Sequence, residues 1–141
     1  DVAEGAAGTA RQNMIDLGLS DRVEVRTGNW DDGLDEQFDL IVSNPPYIVD
    51  HDIPELDIEV TDYDPVLALA GGADGLDAYR RLAMILPLRL AKRGLAILEF
   101  GHGQAADIAE IMQAGGTEVF DWKEDLAGRK RCAVCRCITN T

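Results

Sequence analysis

The sequence predicts an α/β fold with a mostly parallel sheet. Three observations carry this. Apolar positions switch repeatedly between helical spacing and short strand-like runs. Two runs, Phe38–Ser43 and Leu95–Phe100, are almost continuously apolar, as strands covered on both faces are. Helical stretches alternate with the runs, the order expected of helices layered on a sheet.

Ala6, Ala10, Met14 and Leu17 recur at helical spacing and Gly18 follows as a stop, so residues 3–17 read as an amphipathic helix. Val23 and Val25 alternate with charged residues, predicting a short strand over Arg22–Thr27, and Asn29–Gly33 reads as loop. Phe38–Ser43 is the first buried-strand candidate. It stops at Asn44-Pro45-Pro46-Tyr47, where two prolines remove ladder donors. Residues 48–66 hold Asp50, Asp52, Glu55, Asp57, Glu59, Asp62 and Asp64 without a steady period. This predicts a long acidic loop with at most a helical turn, and loops of that length usually serve a function.

Gly71, Gly72 and Gly75 mark a turn. Leu76, Tyr79, Leu82, Ala83, Leu86 and Leu90 give a second amphipathic helix, with Pro87 predicting a kink or break. Gly94 ends that helix and Leu95–Phe100 is the second buried-strand candidate. A third helix spans Gln104–Gln113, closed by Gly115-Gly116. Glu118–Trp122 and Arg131–Ile138 are strands with only a glycine turn between them, so they form an antiparallel pair. In such folds ligands bind beyond the C-terminal ends of strands, and Asn44-Pro45-Pro46-Tyr47 sits at one.

The composition narrows the class. The 141 residues, 46% apolar, suit one domain with a real core. No apolar run approaches the ~20 residues of a membrane span, and no signal peptide opens the chain. A net charge of −13 repels phosphates and argues against direct binding of nucleic acid. Three cysteines, Cys132, Cys135 and Cys137, make a poor disulfide framework, which reads as a reducing, cytoplasmic setting. In a strand Cys135 and Cys137 share one face and Cys132 takes the other. A zinc site needs about four converging ligands, so no metal is expected. The chain opens on Asp1 directly before a helical pattern, as if a domain were entered part-way.

The chemical signal is Asn44-Pro45-Pro46-Tyr47. An amide or exocyclic amine nitrogen has a delocalised lone pair and is a poor nucleophile. A site that alkylates it must hold both N–H bonds and aim the nitrogen at the methyl donor. The Asn44 side-chain oxygen can take one N–H. The Pro45 carbonyl, free where the ladder ends, can take the other. The prolines fix the backbone at low entropic cost, and Tyr47 offers a flat face for stacking. The gain is orientation and polarisation, not prior removal of a proton. The plain alternative is a strand-ending turn. Glu99 ends the second buried strand, and a structural or supporting role suits it better than that of a base. His102, alone in a glycine-flanked loop, reads as a surface residue.

An ordered series of segments resembles the HemK family, the S-adenosylmethionine-dependent N5-glutamine methyltransferases of peptide chain release factors. The segments are Asp1-Val2 with Ala10-Arg11-Gln12-Asn13, Gly28-Asn29-Trp30, Phe38–Tyr47, Leu69–Asp77 with Tyr79-Arg80, Glu99–Gln104 and Asp125–Arg129. The resemblance implies a Rossmann-like class I methyltransferase fold with an antiparallel last strand. It implies S-adenosylmethionine as cofactor and a release factor as protein substrate. Asp1 would accept the cofactor ribose hydroxyls, Asn29 and Trp30 would lie near the adenine, and Asn44 would touch cofactor and substrate. Pro45, Pro46 and Tyr47 would clamp the glutamine amide. Asp1 also suits a helix N-cap, and Trp30 a half-buried loop aromatic. Residues 1–141 would be a partial catalytic domain. The family's helical N-terminal domain, first strand and Gly-rich cofactor loop have no counterpart in them, so these residues alone are expected to be inactive. Two further readings stay open: an amino-methyltransferase acting on adenine or guanine of DNA or RNA, which faces the same planar-nitrogen problem, and a non-catalytic fragment.

Overall fold

A computed structural model describes residues 1–138. They fall into two compact units, Asp1–Asp35 and the remainder from Glu36.

In the first unit α1 covers Glu4–Asp16, capped by Leu17, and Gly18 takes a φ of 67° as the stop. Only Ala7 of α1 is buried. The strand expected over Arg22–Thr27 does not form. A strand needs a ladder, and this segment does not build one: the Arg22 and Val23 N–H groups turn back to the Leu19 carbonyl, and at the far end the Asp1 ammonium donates to the Arg26 carbonyl at 3.0 Å and the Gly28 N–H to the Asp1 carbonyl at 2.9 Å. Side chains hold the rest. Arg11 Nε donates to the Val25 carbonyl at 3.2 Å and Arg11 Nη2 to Thr27 Oγ1 at 2.6 Å.

The second unit is a four-stranded sheet in the order β1-β2-β4-β3. The strands are β1 (Phe38–Ser43), β2 (Leu90–Glu99), β3 (Thr117–Glu124) and β4 (Lys130–Cys137). β1 and β2 are parallel, and β4 lies antiparallel between β2 and β3. Three strands therefore run one way and the last runs against them, as the sequence predicts.

Between β1 and β2 the chain makes a 3-10 turn at Asp50–Glu55, then α2 (Ile58–Thr61), α3 (Val66–Leu69) and α4 (Asp77–Arg89). The acidic segment thus holds two short helical pieces and runs into a third, more order than its irregular sequence predicts. α4 does not break at Pro87. Only two residues follow it, so losing one N–H near the end costs little continuity. β2 starts at once at Leu90, earlier than the expected Leu95. Its register with β1 jumps between Phe38↔Leu90 and Leu40↔Leu95, so residues 91–94 bulge out of the ladder. α5 covers Ala105–Ala114.

The core lies on one face of the sheet, under α4 and α5. Tyr79, Leu86, Leu98, Phe100, Ile108 and Met112 are fully buried there. Phe100 meets Trp122 edge-on, ring centroids 5.4 Å apart, a favoured aromatic geometry. β1 is not covered on both faces as its apolar run suggests. Ile41 packs on the core, whereas Leu40 and Val42, facing the other way, are 54% and 69% exposed. β1 stands at the end of the strand order, and in this unit both long helices lie on the core side.

Candidate active site

Residues 44–47 leave the C-terminal end of β1, beside the end of β2. Asn44 is exposed, Pro45 buried, and Pro46 and Tyr47 half-buried. Among the described residues neither the Asn44 side chain nor the Pro45 carbonyl takes part in a hydrogen bond. Both acceptors are therefore unengaged.

Tyr47 is held by several segments. Its hydroxyl donates to Glu99 Oε1 at 3.3 Å. Tyr79, on α4, donates its own hydroxyl to the Glu99 carbonyl at 2.7 Å, which anchors the last residue of β2. The Tyr47 carbonyl accepts from Gln104 Nε2 at 3.1 Å. That same nitrogen donates to the Gly75 carbonyl at 3.1 Å, while Gln104 Oε1 accepts the Gly101 N–H at 2.9 Å. Burial first, then the Glu99 charge and its hydrogen bond, push the Tyr47 phenol above its ordinary value, with Arg131 pulling weakly the other way. Tyr47 is therefore neutral at physiological pH.

The chain just beyond is clasped to the glycine turn. Ile48 N–H donates to the Leu69 carbonyl at 3.0 Å, Gly71 N–H to the Ile48 carbonyl at 2.8 Å and Asp50 N–H to the Gly72 carbonyl at 3.1 Å. Asp50 Oδ1 accepts the Gly72 N–H at 3.1 Å. Two glycines permit this approach. A Cβ on Gly75 would lie 2.6 Å from the Tyr47 carbonyl oxygen, and its φ is +74°. A Cβ on Gly101 would lie 3.1 Å from Tyr47 Cδ2 and 2.9 Å from Gln104 Oε1.

The first unit gathers the other predicted positions. Gly28 bonds to the Asp1 backbone, which sets Asp1 beside the 28–30 loop. Asp1 Oδ1 accepts the Ala3 N–H at 2.7 Å, but Asp1 is not the helix N-cap: Ala3 holds that place and no side chain caps α1. Asn29 is exposed, and its carbonyl accepts from Asp32 N–H at 3.1 Å. Trp30 is 40% exposed and has a φ of 54°, the one described non-glycine residue with positive φ. A bulky residue held there costs roughly 1–3 kcal/mol, and such strain gathers at binding sites.

His102 is exposed in its loop. Among the described residues no three His, Cys, Asp or Glu side chains converge as metal ligands would, and no helix is long and apolar enough to cross a membrane. Sequence reasoning gave Glu99 its supporting role but passed over Gln104 and Tyr79. The only signal for Gln104 was its place in the Glu99–Gln104 segment.

No family model matches the chain. Curated relatives do. A release factor glutamine methyltransferase of Rhodospirillum rubrum is 47% identical over 136 residues, 96% of this chain and 42% of its own length. Those of Bradyrhizobium diazoefficiens and Clostridium acetobutylicum are 45% and 36% identical, over 96% and 93% of this chain and 46% and 47% of their own lengths. The chain thus spans less than half the length of these relatives. Among solved structures, a ribosomal protein L11 methylase from Lactobacillus delbrueckii subsp. bulgaricus superposes with a TM-score of 0.67 at 15% identity, covering 97% of this chain and 55% of that one. The mitomycin 7-O-methyltransferase superposes at 0.62 with 14% identity, over 96% and 40%. At such identities the likeness speaks for the fold, the Rossmann-like class I methyltransferase fold.

Proposed function

We infer the function from one premise: over 96% of its length this chain is a homologue of the release factor glutamine methyltransferases. The protein carrying it transfers a methyl group from S-adenosylmethionine to the side-chain amide nitrogen of a glutamine in a peptide chain release factor. It works in the cytoplasm, where release factors act. The observation that carries this is the pair of unengaged acceptors, the Asn44 side chain and the Pro45 carbonyl, on a loop whose last residue, Tyr47, is tied to Glu99 and Gln104.

The residues fit the cofactor by the chemistry of their groups. Asp1 offers an exposed carboxylate to ribose hydroxyls, Trp30 an exposed indole face, Asn29 an exposed amide, and Asn44 an unengaged one. When bound, the cofactor supplies a methyl group on a positively charged sulfur. Asn44 Oδ1 and the Pro45 carbonyl each accept one N–H of the glutamine amide, which fixes its plane and polarises its nitrogen toward the donor. Pro46 stiffens the turn, and Tyr47 stacks on the planar amide. No base is needed beforehand, because the nitrogen gives up a proton readily once alkylated. Glu99 already accepts the Tyr47 hydroxyl, so it serves as an anchor.

The net charge of −13 favours a protein substrate over the phosphates of DNA or RNA. The experiment supplies labelled cofactor to the full-length protein with intact release factor, with release factor whose target glutamine is replaced, and with nucleic acid. Label is expected only in intact release factor, and Asn44→Ala should lower kcat/KM by about 10²–10³, the scale of losing one oriented hydrogen-bond partner of the reacting group. Label in nucleic acid alone would mean an amino-methyltransferase acting on bases.

A further inference from the structure

Gln104 is the residue near the loop that the chemistry above leaves without a task. A primary amide has two N–H donors and one carbonyl acceptor. All three functions are committed to backbone. Nε2 serves the Tyr47 and Gly75 carbonyls, and Oε1 serves the Gly101 N–H. The three backbone groups belong to three segments far apart in sequence: the loop after β1, the glycine turn before α4 and the loop after β2. One part-buried side chain therefore ties three segments around Tyr47 together.

The bond to the Tyr47 carbonyl has a specific consequence. It fixes the peptide plane between Tyr47 and Ile48, whose N–H is spent on the Leu69 carbonyl at 3.0 Å. With that plane fixed and the ring resting over Gly101, where an added Cβ would be 3.1 Å from Cδ2, the tilt of the ring is set. We propose that Gln104 is a positioning residue that locks the Tyr47–Ile48 peptide plane and so aims the Tyr47 ring at the target amide. The proposal rests on the methyltransferase reading above.

Glutamine suits this place for reasons of atoms and charge. Glutamate would set an anionic oxygen against two carbonyl oxygens. Asparagine, one methylene shorter, would not span the same groups. Leucine keeps the bulk and loses every bond. Glutamate regains one O–H donor when protonated, which makes its effect reversible by pH.

The test uses the full-length protein with Gln104→Leu and Gln104→Glu. Methyl transfer to intact release factor is followed from pH 5.5 to 8.5, together with hydrogen exchange in the absence of substrate. Misplacement of a reacting group by an ångström can cost about 10²-fold. Both variants are expected to lose about 10- to 100-fold in kcat at pH 8, with KM for the cofactor within about threefold of wild type. The rate of Gln104→Glu relative to wild type should climb as the pH falls, and that of Gln104→Leu should not. The Gly101 amide should exchange at least tenfold faster in Gln104→Leu, with the Leu98 amide in β2 unchanged. Wild-type kcat in Gln104→Leu, or a protected Gly101 amide, overturns the proposal. If Gln104→Leu fails to fold, Gln104→Glu decides alone: a pH-independent ratio to wild type overturns it. If wild type transfers no methyl to release factor, the methyltransferase reading falls, and Gly101 exchange still decides whether Gln104 is the clamp.

Discussion

Tyr47 is gripped at both its hydroxyl and its carbonyl, which separates what its ring does from what its oxygen does. Tyr47→Phe removes one half-buried hydrogen bond to Glu99 and keeps the stacking face. The expected cost in stability is about 0.5–1.5 kcal/mol, with methyl transfer lowered far less than by Tyr47→Ala. The phenol's pKa is raised above its ordinary 10.0, so the native state holds this proton more tightly than the unfolded chain does. Its contribution to stability is then complete below about pH 10 and is lost as pH rises beyond that. Tyr79 is shifted the same way, chiefly by burial. Urea midpoints from pH 7 to 11 should fall at the alkaline end, and less steeply in Tyr47→Phe. The Asn-Pro-Pro-Tyr loop was readable in sequence because its chemistry is local: four adjacent residues carry acceptors, stiffness and a flat face. Its supports were not. Glu99 and Gln104 lie 52 and 57 residues further on, and no periodicity links an amide to a carbonyl across such a gap.

Elements were legible where side-chain period and ladder agree. β3 and β4 form the antiparallel hairpin that a short glycine turn implies. Arg22–Thr27 has the right alternation and fails as a strand because a ladder is a property of two segments, and only the first one is visible in a local pattern. β2 shows the converse. Gly94 reads as a helix stop, yet it lies inside a strand that begins at Leu90. Its lack of a side chain serves a close approach: a Cβ there would lie 2.6 Å from the Phe38 carbonyl oxygen and 3.0 Å from Ala91 N. Backbone cannot give way as a side-chain tip can. Gly94→Ala should therefore destabilise the protein by about 1–3 kcal/mol, the usual cost of overpacking. Equilibrium urea unfolding measures it, and a loss below 0.5 kcal/mol would mean that the bulge shifts freely.

At the scale of the whole molecule the core organises the chemistry of the thiols. Cys135 is fully buried in the cluster with Leu98, Ile108 and Met112, and burial pushes its thiol up to about 12. Cys132 and Cys137 are half-buried and raised mainly by desolvation. Thiolate is the reactive form, so native thiol titration at pH 8 should be slow at Cys132 and Cys137 and silent at Cys135. Guanidinium should release all three. Rapid native labelling of Cys135 would show that the core opens locally. The three cysteines read in sequence as neither a disulfide framework nor a metal site. Strand geometry sends their side chains to opposite faces.

The clasp between Ile48 and Ala70 has an evolutionary consequence. These residues form an isolated parallel bridge outside the sheet, so the acidic stretch between them departs and returns at a single point. A loop closed in this way is thermodynamically indifferent to its own length: each doubling adds only about 0.6 kcal/mol of closure entropy. The insert can be lengthened, shortened or exchanged while the residues on either side of the bridge keep their places. Sequence can thus drift along one segment of the chain while the loop at residues 44–47 keeps its place.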